Sequence, residues 1–195
     1  MCNELSLRID YHGGGRDNRG EGAPRMDHWA DIVRQYSPLL RKTAYRMLGN
    51  DADAADCMQD VFVRAITLGQ RQEVRNWFGL LRQMAVCRAM DMLRERLRRT
   101  GTSFDSVDWT AVPCPNPGPM QSAEARELAG RLRLSLAQLP AQQAEVFCLV
   151  CVEGLSHEDT AAHLGTTSGN VRVLLHRARE RLRRVFPAFE APAER

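Results

Sequence analysis

Three carboxylates, Asp53, Asp56 and Asp60, recur at steps of three and four residues within Asp51 to Asp60, a segment with four acids and no base. On a helix that spacing puts them on one face. Carboxylates grouped in this way bind a metal, exchange protons or dock on a basic surface. Metal or acid–base chemistry asks for more than is here, because the segment has no histidine and no glycine-rich phosphate loop lies nearby. Two readings stay open: acids that favour a helix N-terminus through its dipole, and a docking face for a basic protein. The opposite chemistry lies near the other end. Arg172, Arg177, Arg179, Arg181, Arg183 and Arg184 meet one acid, Glu180, and guanidinium groups at that density suit phosphate. Cys148 and Cys151 form a CxxC followed by His157 and His163, a zinc or redox pattern. The pair sits inside the apolar helix Val146 to Val152, where cysteine packs as a small hydrophobe.

The arginines need an element to present them. Val171, Leu175, Ala178, Leu182 and Val185 alternate steps of four and three, which predicts a helix with one apolar stripe and basic remaining faces. Before it, Ser156 to Leu164 predicts a shorter helix, with Ser156 as cap, Asp159 three residues on, and Gly165 where a left-handed residue ends it. Ser168 is the expected cap of the second helix. Two capped helices around a tight turn, the second one basic, form a helix-turn-helix, a DNA-reading unit.

The acidic face also needs a helix, expected from Asp51 to Leu68 with Asn50 or Asp51 as cap and Ala54, Ala55, Met58, Phe62, Ala65 and Ile66 on its buried side. Ahead of it, Trp29 to Leu48 predicts one or two packed helices interrupted by Pro38 and ended by Gly49-Asn50. Beyond it, a long helix from about Val74 to Arg99 has an apolar side from Trp77 to Leu93. Arg75, Arg82, Arg88, Arg94, Arg96, Arg98 and Arg99 make the rest basic, a second nucleic-acid candidate. Trp77 and Phe78 at its start are placed to stack on an unpaired base or to enter the core. Thr100 to Gln121 carries four prolines, two glycines and two acids without periodicity, and reads as a flexible linker. Ser122 caps a further helix, Ala123 to Gln138. The expectation is an all-α chain with no strand. It has two small helical domains, 26–99 and 122–187, a Pro-rich linker at 100–121, a disordered tail at 1–25 with Met26 as an alternative start, and a short tail at 188–195.

The 195 residues suffice for one ordinary domain or two small ones, and the net charge of +3 hides sharp segregation along the chain. No stretch approaches the ~20 apolar residues of a bilayer span. The N-terminus has neither an apolar core region nor a cleavage site, so the expected location is the cytoplasm, without membrane insertion. The six cysteines there are not expected to form a disulfide framework. No cofactor and no metal is expected.

Taken together the motifs resemble the sigma-70 family, in its small extracytoplasmic-function (ECF) form that keeps only regions two and four. The resemblance runs from Trp29 to Phe186. It rests on Leu48-Gly49-Asn50, Gln59-Asp60-Val61-Phe62-Val63-Arg64-Ala65, Ala89-Met90-Asp91-Met92-Leu93-Arg94, Leu139-Pro140, Glu145-Val146-Phe147, Glu153-Gly154-Leu155-Ser156, Leu164-Gly165, Val171-Arg172 and Arg177-Ala178-Arg179, in that order.

The resemblance implies a non-catalytic subunit that binds core RNA polymerase, directs promoter-specific initiation in response to a stress or envelope signal, and is controlled by an anti-sigma factor. By it, Asp53, Asp56, Gln59 and Asp60 dock on the clamp helices of the largest polymerase subunit, and region four meets the flap. Trp77, Arg82, Arg88, Arg94 and Arg98 serve the minus-ten element. Ser168, Asn170, Arg172, Val173, His176, Arg177 and Arg179 serve the minus-thirty-five element, and the linker threads toward the polymerase active centre. The chain departs from the family at Cys87, where many members have Asn, and at Val173 and Leu174, where Ser and Arg are frequent. The usual tryptophan before the core of the region-two long helix is displaced to Trp77, with Leu80 in its place. The competing reading is a helix-turn-helix regulator that is not a polymerase subunit. A metal-dependent nuclease on the acidic face lacks a base, a nucleophile and a ligand set.

Overall fold

A computed structural model of the chain describes residues 26–74, 76–100 and 123–185. They form α1 (Met26–Leu48), α2 (Asp51–Arg71), α3 (Trp77–Thr100), α4 (Ala123–Gln138), α5 (Ala141–Phe147), a π-helical turn (Cys148–Val152), α6 (His157–Leu164) and α7 (Ser168–Val185). Among the described residues there is no strand. The expected tails at 1–25 and 188–195 lie outside them, as do residues 101–121 of the linker expected at 100–121; its first residue, Thr100, instead closes α3.

The first three helices pack on one another through their apolar stripes. Leu40, Ala44 and Met47 of α1 meet Ala54, Val61 and Ala65 of α2 and Leu81, Ala85 and Ala89 of α3, all buried. α1 is a single helix. Pro38 lies inside it on the solvent side, where the carbonyl deprived of an amide partner faces water. Gly49 takes φ 81° to end the helix. Asn50, of the two candidates, caps α2, its side-chain oxygen accepting from the Asp53 amide at 2.8 Å. α3 begins at Trp77, three residues after the predicted start, because Asn76 accepts from the Gly79 amide at 2.9 Å and fixes the first turn there.

In the second half, Ser156 caps α6 by accepting from the Asp159 amide at 3.0 Å, and Gly165 ends it at φ 61°. Thr167, rather than the expected Ser168, caps α7: its hydroxyl accepts from the Asn170 amide at 3.2 Å, and Ser168 is the first helical residue. The stripe of Val171, Leu175, Ala178 and Leu182 is buried as its spacing requires. The apolar helix expected over Val146 to Val152 changes form at Cys148, where α5 widens into the π-turn.

The two halves share one core. α3 packs on α4, α5, the π-turn and α6, Cys148 Sγ lies 3.9 Å from Met90 Sδ, and Glu145 accepts from Gln83 at 3.3 Å and from Cys87 at 3.0 Å. The two helical units expected on either side of a flexible linker are docked on each other.

Candidate nucleic-acid interface and acidic face

The acidic face lies on α2 and is shared with α3. Asp53, Asp56, Gln59 and Asp60 line an open groove of about 590 Å³ whose other wall is Arg88, Met92, Glu95, Arg96 and Arg99. Asp60 accepts from Arg88 Nε at 2.6 Å, and Asp53 is held by Arg96 and by Asn50. Asp56 and Gln59 are exposed. The face is therefore a mixed-charge groove with two carboxylates neutralised from α3, and it is less acidic than the sequence of α2 alone implies.

The five residues expected at the minus-ten element are distributed around α3. Arg88 turns to the groove, Arg94 pairs with Asp91 at 3.5 Å, and Arg98 is exposed. Trp77 enters the packing: its ring meets Trp29 edge-on at 4.8 Å and closes on Gly69, where a Cβ would come within 2.9 Å of the indole. Of the neighbouring aromatics Trp77 and Phe78, Phe78 is the exposed one. Arg82 lies over its ring at 4.9 Å and points into the contact between the two halves, where its Nε is 3.2 Å from Glu153. In the sequence Glu153 belongs to a motif with no assigned role, because its partners Thr43, Arg46 and Arg82 lie in the other half of the chain.

The helix-turn-helix gathers its candidates better. Asn170, Arg172, Val173, His176 and Arg177 are all exposed on the first turns of α7, with Ser168 half-buried at its start. Arg172 and His176 make long contacts to Glu158 and Glu180, at 3.9 and 3.8 Å, so both side chains remain accessible. Arg179 is turned inward instead, with Nη2 3.9 Å from Cys151 Sγ. Val173 and Leu174 also part: Val173 is exposed, whereas Leu174 packs on the core. An exposed basic and apolar first turn on a helix supported by a shorter one fits the major groove, where such a turn contacts base edges.

The cysteine pair behaves as packing. Cys148 is fully buried, and burial pushes its thiol well above the ordinary range. Burial also raises the Cys151 thiol, against the opposing effect of Arg179. Among the described residues no group of three or more His, Cys, Asp or Glu side chains is placed to hold a metal ion.

Comparison with known proteins bears on both faces. Residues 32–99 match the family described as sigma-70 region 2, and residues 129–182 match sigma-70, region 4. The chain is 34% identical over 161 residues to the ECF RNA polymerase sigma factor SigD of Mycobacterium tuberculosis, covering 78% of this chain and 74% of that one. It is 35% identical over 171 residues to ShbA of Streptomyces griseus, covering 84% and 88%. The chain belongs to the ECF sigma factors of the sigma-70 family. SigE of Mycolicibacterium smegmatis is 33% identical over 158 residues, which are 81% of this sigma factor but 61% of that relative's length. Among solved structures, RpoE of Bartonella quintana in complex with the anti-sigma factor NepR is similar at TM-score 0.53 and 23% identity, covering 83% of this chain and 98% of that one. CnrH in complex with the cytosolic domain of CnrY is similar at TM-score 0.54 and 22% identity, covering 85% and 92%. At those identities the two likenesses speak for the fold alone. No helix of this sigma factor is long and apolar enough to cross a membrane, among the described residues.

Proposed function

We propose that this sigma factor binds core RNA polymerase in the cytoplasm, directs it to promoters as a non-catalytic subunit, and is held inactive by an anti-sigma partner. The observation that carries the reading is the joining, in one chain, of a region-two bundle with an acidic groove to a region-four helix-turn-helix whose first turn is exposed. We assign residues 26–99 and 122–187 to the two units. Polymerase docking falls to Asp56 and Gln59 first, since they are exposed, with Asp53 and Asp60 joining as Arg96 and Arg88 exchange partners. Minus-thirty-five reading falls to Asn170, Arg172, Val173, His176 and Arg177. The anti-sigma partner is supported by the company of the solved neighbours, which are complexes of RpoE with NepR and of CnrH with CnrY.

The test is transcription. Purified chain added to core polymerase and a fragment library of the source genome is expected to yield transcripts that share two short upstream motifs. Reversal of Asp53, Asp56 and Asp60 to Arg is expected to abolish polymerase binding. Duplex binding without initiation would instead favour a helix-turn-helix regulator.

A further inference from the structure

Glu153 is an enclosed carboxylate at the contact between the halves, with its side chain 2% exposed. It follows the π-turn and enters region two between α1 and α3. Thr43 donates to its Oε2 at 2.9 Å, Arg82 Nε lies 3.2 Å from the same oxygen, and Arg46 Nη1 lies 3.8 Å from Oε1. Oε1 makes no hydrogen bond. Arg46 Nη1 also donates to the Val152 carbonyl at 3.3 Å. One negative charge thus sits among two guanidinium groups and a hydroxyl, a set with more positive charge than a single carboxylate neutralises. Arg82 also covers the exposed ring of Phe78 at 4.9 Å, with Tyr36 at 6.2 Å from that ring. A basic notch beside an exposed aromatic is the arrangement that receives a phosphate and stacks the adjoining base of a single strand.

We propose that Thr43, Arg46 and Arg82 form a phosphodiester site for single-stranded DNA, with Phe78 as the neighbouring base platform, and that Glu153 occupies this site in the free protein as an internal stand-in for the phosphate. Region four must leave region two for the strand to enter. The contact is tight enough for occupancy to be mutually exclusive: a Cβ on Gly79 would come within 2.5 Å of His163 Nε2, and that ring is held from behind by its Nδ1 at 2.7 Å from the Asp159 carbonyl. The inference rests on the sigma reading of α3 and adds to it residues of α1 and an intramolecular competitor.

The test is fluorescence anisotropy of a labelled oligodeoxythymidine strand of about twelve nucleotides with the full chain. Glu153→Gln keeps the size of the side chain and removes its charge, and is expected to raise affinity for the strand about three- to ten-fold. Adding Arg82→Ala should remove the gain. An abasic strand of the same length should keep the part of the gain that depends on Arg82. Gly79→Val, which forces the halves apart without altering Glu153, should also raise affinity. Should Glu153→Gln fail to fold, Gly79→Val with and without Arg82→Ala carries the same comparison. Unchanged affinity in folded Glu153→Gln, or a gain that survives loss of Arg82, overturns the site. Wild-type chain that initiates transcription with core polymerase while Glu153→Gln gains nothing sinks this inference and leaves the sigma reading standing.

Discussion

A single buried thiol links packing to the pH range in which this sigma factor is stable. Cys57 lies within the three-helix bundle with its Sγ directed at the Ala85 carbonyl 3.7 Å away, and burial pushes its thiol from the ordinary 9.0 up to about 12, against the pull of Arg88. Below the ordinary value both folded and unfolded chains keep the proton, and stability is complete. As pH rises past it, the unfolded thiol ionises while the buried one does not. Stability then falls by up to about 1.4 kcal/mol per pH unit for this thiol until the folded value is reached. Urea melts across that window are expected to show a shallower decline in Cys57→Ala than in the native chain. Leu175 makes the companion prediction for neutral pH: at 1% exposure on the α7 stripe, Leu175→Ala should cost about 2–5 kcal/mol by denaturant melting. The stripe was legible because helical period alone selects Val171, Leu175, Ala178 and Leu182. The contact of Arg82 with Glu153 was not, since an arginine flanked by apolar residues reads the same whether it meets phosphate, an aromatic ring or a carboxylate from the other half.

Element boundaries follow hydrogen bonds that span three or four residues, so they were readable to within a few positions. Asn50, Ser156 and Gly165 stand where their chemistry placed them. The errors have the same local origin: Thr167 and Ser168 both carry a hydroxyl, and the path of the chain after the left-handed Gly165 selects Thr167. The π-turn at Cys148–Val152 gave no sequence signal, because one residue of extra winding leaves an apolar run apolar, yet it sets where Glu153 emerges. Two substitutions test these ends. Asn50→Ala removes the acceptor for the Asp53 amide and should lower stability by about 1 kcal/mol. It should also weaken polymerase binding, because the first turn of α2 carries Asp53 into the groove. Gly165→Ala forces a Cβ into a left-handed backbone and should cost about 1–2 kcal/mol, and a thermal melt with a gel-shift assay on promoter DNA would show whether the recognition helix loosens with it.

At the level of the whole molecule, the docking of the halves is the feature the sequence concealed. Each pattern of apolar residues was accounted for within its own half, and the residues that join them, Thr43 with Glu153 or Cys148 with Met90, are far apart in the chain and of ordinary type. One continuous core predicts one cooperative unfolding transition for the free protein, since neither half can lose its structure without exposing the face of the other. Glu153→Lys makes the sharpest test. It would bring a third cation against Arg46 and Arg82 inside the contact, a repulsion that separation of the halves relieves, whereas the cores of the three-helix bundle and of the helix-turn-helix lie away from that point. Calorimetry should therefore resolve two transitions in Glu153→Lys where the native chain shows one, with the lower one shifted down. A single transition merely displaced to lower temperature would mean that neither half stands alone, and promoter engagement would then require that polymerase supply the surface each half loses.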